Sequence, residues 1–131
     1  LCWGAHRVAR SIKEVKVHEA SPSRVVASFI DWEGTAHKRS ISFLGHHVTV
    51  EDWIDNDAGV ISYLKVAPKF TVRVGENGAI VSDGEKEVRI VSDSKPLLEK
   101  TPYSPEFGII EDAQRLCFTS DDAYCSYEFE W

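Results

Sequence analysis

Apolar side chains recur at every second position over much of this chain, the period of a strand with one covered face. Residues 38–44 carry Ile41 and Phe43 at one parity and Ser40 and Ser42 at the other. Residues 24–32 place Val25, Val26, Phe29, Ile30 and Trp32 on both parities, which predicts a central strand covered on both faces, with Trp32 in the core. Residues 60–66 form a further strand. Phe70, Val72 and Val74 alternate, Glu76-Asn77-Gly78 turns, Ile80 and Val81 continue, Asp83-Gly84 turns again, and Val88, Ile90 and Val91 complete a three-stranded meander. At the end, residues 115–119 and 124–131 read as a hairpin. Its last strand alternates Tyr127, Phe129 and Trp131 with Ser126, Glu128 and Glu130.

Three stretches break this period. Val8, Ile12 and Val15 have helical spacing while Val15 and Val17 have strand spacing, so the first segment is either a helix running into a strand or one strand. Thr49-Val50-Glu51-Asp52 offers a hydroxyl cap with an acid three residues on, the start of a short helix that Gly59 ends. Residues 95–108 contain Pro96, Pro102, Pro105 and Gly108 and predict a long loop. The sum is all-β: an antiparallel β-sandwich of about seven to nine strands with one short helix, forming a single domain over residues 1–131.

Composition fits that reading. A chain of 131 residues, 43% hydrophobic and 27% charged, is one ordinary globular domain with enough material for a core. The net charge of −6 and a densest basic stretch of only His37-Lys38-Arg39 argue against nucleic acid as a partner. No run approaches the roughly 18 apolar residues of a membrane span, so membrane insertion is not expected. The absence of methionine and the start Leu1-Cys2-Trp3-Gly4 predict either a removed leader, hence a secreted protein, or a domain excised from a longer chain.

Three cysteines leave one over if two pair. A three-residue loop at 120–122 would set Cys117 and Cys125 opposite each other across a hairpin. Cys2 paired with Cys117 or Cys125 is preferred, since closing over a hundred residues stabilises by about 4 to 5 kcal/mol against about 2 to 3 for the short loop. Three buried free thiols remain the alternative.

Chemical signatures are sparse. His46 and His47 with Glu51 and Asp52 have the donor types of a transition-metal site, but adjacent histidines on an extended stretch point apart, and a polar loop with capping acids is the plainer reading. Asp55-Asn56-Asp57 before Gly59 lacks the ligand ladder of a calcium loop. There is no Gly-x-Ser-x-Gly elbow, no His-Glu-x-x-His and no phosphate-cradling glycine run, and the neighbouring acids Glu51-Asp52 and Asp121-Asp122 are poorly placed for glycosidic chemistry. No catalytic residue, metal or cofactor is therefore assigned. The aromatic residues are the remaining resource, and Trp53, beside two acids, is the tryptophan expected to be partly exposed.

In size, architecture and cysteine use the chain resembles the small secreted β-sandwich effectors of plant-pathogenic fungi. No single motif carries the resemblance, and the odd third cysteine departs from the usual pairing. It implies a protein that acts by binding a host protein through loops on a rigid frame, here 45–59 and 95–108, with Trp53, Tyr103 and Phe107 as binding residues. A carbohydrate-binding module would instead need two or more of Trp53, Tyr63, Tyr103 and Tyr124 on one exposed face. A small hydrolase would need a concave pocket holding His46 or His47 beside a carboxylate.

Overall fold

In the computed structural model, which describes residues 12–57 and 59–131, every regular element is a β-strand. In chain order these are β1 (Lys13–Ala20), β2 (Arg24–Ile30), β3 (Ala36–Leu44), β4 (His47–Ile54), β5 (Val60–Val66), β6 (Thr71–Gly75), β7 (Gly78–Ser82), β8 (Glu87–Ser92), β9 (Leu97–Tyr103), β10 (Glu111–Ser120) and β11 (Tyr124–Glu130). They form an eight-stranded antiparallel sheet of order β1-β2-β3-β4-β11-β8-β7-β6 and a three-stranded one of order β5-β10-β9. The chain leaves the large sheet after β4, returns for β6 to β8, leaves again for β9 and β10, and comes back as β11 between β4 and β8.

The alternation along the strands explains how the sheets meet. Val50, Ala79, Ile90, Cys125 and Tyr127 from the large sheet share one core with Val60, Leu116 and Phe118 from the small one. The ring of Phe118 stacks on that of Tyr127 at 4.1 Å between centroids and 9° between planes. Each such fully buried side chain contributes roughly 1.5–3 kcal/mol relative to exposure.

Several expectations are corrected. The residues expected to begin a helix lie in β4, paired on both sides by β3 and β11. The cap-like Thr49 and Asp52 sit at opposite parities of a strand whose inward residues include buried Val50 and Asp52, so tertiary pairing overrides the local helix signal. Half of the expected loop 95–108 is β9, an edge strand. There Pro102, opposite Asp112, needs to donate no hydrogen bond to an outer neighbour. The expected terminal hairpin does not exist, because β10 pairs with β5 and β9 whereas β11 pairs with β4 and β8. Residues 121–123 thus carry the chain from one sheet to the other. Cys117 lies opposite Tyr63 and Leu97, Cys125 lies opposite Asp52, and both are buried free thiols rather than a cross-strand bridge. Cys2 and its expected pairing lie outside the described residues.

Trp32 falls just beyond β2 and is 51% exposed rather than in the core. Among the described residues the three-stranded sheet meets the large one chiefly through β4 and β11, away from the end of β2 where Trp32 sits. Eleven strands exceed the expected seven to nine because β4 and β9 replace a helix and a loop.

Candidate functional site

Sheet pairing brings a group of polar side chains into the space between the layers. Arg39 in β3 and Asp52 in β4 are register partners, and the guanidinium makes two hydrogen bonds to the carboxylate, at 2.6 and 2.8 Å. A guanidinium nitrogen also donates to Ser62 Oγ at 3.1 Å, and Ser62 Oγ donates to the Tyr127 hydroxyl at 3.3 Å. The Asp52 carboxylate holds Arg39 above its ordinary range, and burial raises Tyr127. Cys125 lies next to this network, and its thiol is pushed up to about 11, first by burial and then by the charges of Asp52 and Asp93. Cys117 is also raised, first by burial and then by its bond to Glu99. Neither cysteine is a thiolate at neutral pH, so neither is a ready nucleophile. With no buried side-chain polar atom unsatisfied among the described residues, this network is a closed structural connection between the sheets.

Beside it, next to β2 and β3, opens a cleft of about 640 Å³ whose lining includes Phe29, His37, Ile61 and Tyr63. The His37 ring lies flat on Phe29, 4.8 Å apart with 8° between planes, and its Nε2 is 3.0 Å from Asp31 Oδ2. That bond, with the Thr35 and Glu33 backbone N–H groups on the same carboxylate, lowers the Asp31 pKa.

The expected binding residues are spread over both sheets and the β9–β10 loop. Trp53 also borders the cleft, but its ring packs 5.3 Å from Tyr124 and lies under the Lys38 ammonium at 5.1 Å, while Tyr124 donates to Glu51 at 3.1 Å. Tyr63 and Tyr103 belong to the other sheet. Tyr63 lies beneath the Arg115 guanidinium, which also bonds Glu99, and Tyr103 ends β9 opposite Glu111. Phe107 lies in the β9–β10 loop, 92% exposed, and Ile109 and Ile110 further along the same loop are also exposed. That loop is held by the Ser104 hydroxyl, whose one proton is shared between the carbonyls of Glu106 (3.0 Å) and Ile109 (2.9 Å), by the Ile109 N–H on the Glu106 carbonyl, and by Gly108 at φ 83°. Glycine takes such a φ without steric cost.

His46 and His47 border a shallow concavity of about 430 Å³ with Glu130, Glu87 and Arg89. Their acidic neighbours are therefore not Glu51 and Asp52. Asp52 points inward to Arg39, and Glu51 takes the Tyr124 hydroxyl. Among the described residues that line the concavity, none carries a hydroxyl or thiol side chain.

Sequence reasoning missed Arg39, Ser62 and Tyr127. The available signal was a polar residue at an inward parity: Arg39 stands in step with His37 and Ile41, and Ser62 in step with Val60 and Leu64. Comparison with protein-family models, with curated proteins and with solved structures gives no match to this chain.

Proposed function

We propose that this protein acts without catalysis, by binding a partner protein through the β9–β10 loop presented on a β-sandwich. The observation that carries the reading is Phe107, fully sized, apolar and 92% exposed on a loop whose backbone is already pinned by hydrogen bonds. An aromatic ring in that position buries much area with few rotors to freeze, the usual makeup of a binding anchor. Ile109 and Ile110 extend the apolar surface. The secreted, effector-like role belongs to the same proposal and rests on the resemblance in size, layout and cysteine use.

One observation favours a second reading, a sugar-binding face: Trp53 and Tyr124 lie together on β4 and β11, 5.3 Å apart, with Lys38 and Glu51 as polar neighbours. A single experiment separates the two. Immobilised wild type, Phe107→Ala and Trp53→Ala are exposed to plant-tissue extract and to a panel of soluble plant polysaccharides. The main proposal expects a protein ligand whose affinity falls about thirtyfold with Phe107→Ala and is unchanged with Trp53→Ala. A ligand that survives Phe107→Ala sinks the loop assignment, and polysaccharide binding lost with Trp53→Ala establishes the second reading. Phe107→Ala leaves stability within about 0.5 kcal/mol, as expected for a change at a side chain that is 92% exposed.

A further inference from the structure

We propose that His47, Glu128 and Glu130 form a binding site for a first-row divalent cation, Zn²⁺ in the first instance. The pleat builds the set. Glu128 and Glu130 are two apart in β11 and share a face, and His47 in β4 is the register partner of Glu130. His47 Nδ1 lies 2.6 Å from Glu128 Oε1 and 3.9 Å from Glu130 Oε1, and one ligand atom from each residue lies within 4.8 Å of the others. Tetrahedral zinc with nitrogen and oxygen ligands at roughly 2.0–2.2 Å separates its donors by about 3.4 Å, a value that the two distances from Nδ1 bracket. Small side-chain rotations suffice, and all three side chains are partly exposed and free to make them.

Charge points the same way. Two carboxylates stand side by side, and among the described residues no lysine or arginine makes an ion pair with either. Arg89 lies across from Glu130 in β8 yet is not within ion-pair distance of it. Among the described residues the imidazole is thus their one basic partner within ion-pair distance, and a metal ion on Nδ1 would take the place of its proton while neutralising both acids. One nitrogen and two oxygens suit zinc and its first-row neighbours better than the all-oxygen shell that calcium prefers. Three protein ligands would leave one of zinc's four positions for water.

The test is isothermal titration calorimetry of ZnCl₂ into the full 131-residue chain carrying Cys2→Ser and His6→Ala, which removes the donors at positions 2 and 6. One ion per chain is expected. His47→Ala and the double variant Glu128→Gln/Glu130→Gln should each weaken binding about tenfold or more, while His46→Ala changes it by less than about twofold. His47→Gln, of similar bulk, and a urea midpoint for each variant separate loss of a ligand from loss of fold. Co²⁺ gives a second readout, visible d–d bands without a thiolate charge-transfer band. Absence of binding heat, an affinity indifferent to His47→Ala, an equal loss with His46→Ala, or a thiolate band would each overturn the site.

Discussion

Cys125 shows how a single residue links the layers to pH. Its thiol faces the core beside Asp52 and is raised to about 11, against about 8.5 in an unfolded chain. Below about pH 8.5 both states keep the proton, so the contribution to stability is complete there. Between that pH and about 11 the unfolded chain releases a proton that the folded chain retains, and stability falls as pH rises. Tyr127 and Cys117, both raised, add to the same alkaline loss. The urea midpoint should therefore decline from pH 8.5 to 10.5 in wild type and decline less steeply in Cys125→Ala. Parallel declines would show that the Cys125 thiol does not couple to folding. Period-2 alternation made the inward position of this cysteine legible, but its neighbours Asp52 and Asp93 come from other strands that no local pattern identifies.

Within the elements, the meander β6–β8 follows its turn chemistry closely. Glu76-Asn77 joins β6 to β7 between the paired Gly75 and Gly78, residues 83–86 join β7 to β8, and Asp83 accepts the N–H groups of Glu85 and Lys86. Gly78 carries more than the turn. It has φ 137°, and a Cβ there would lie 1.8 Å from the Ile90 carbonyl oxygen in the neighbouring strand. Gly78→Ala should destabilise by at least about 1–3 kcal/mol, seen in the midpoint of urea unfolding. Gly84→Ala, with open space around its Cβ, isolates the cost of φ alone. Equal losses at the two positions would show that the close approach to Ile90 is not felt. β4 teaches the opposite lesson: its helix-cap pattern was genuine at four residues and irrelevant once β3 and β11 paired with both its edges.

For the whole molecule the decisive contact is between sheets. Phe118 and Tyr127 stack across the layers, and the Arg39–Asp52–Ser62–Tyr127 chain of hydrogen bonds runs beside them. The two sheets should unfold together, and Phe118→Ala should cost about 3–5 kcal/mol while shifting tryptophan fluorescence and far-ultraviolet circular dichroism equally. Separate transitions would mean that the sheets are independent units. From the sequence alone came the all-β class, most strand positions and the meander, because a two-residue period and turn residues are local properties of the chain. The helix, the loop over 95–108, the terminal hairpin with its cysteine bridge, and the core position of Trp32 were all decided otherwise by tertiary structure. Which sheet a strand joins, and how far one layer covers the other, depend on pairing between distant segments. The same holds for the inter-sheet network and for His47 meeting Glu128 and Glu130 across 81 and 83 positions of chain, a meeting that only the insertion of β11 beside β4 brings about.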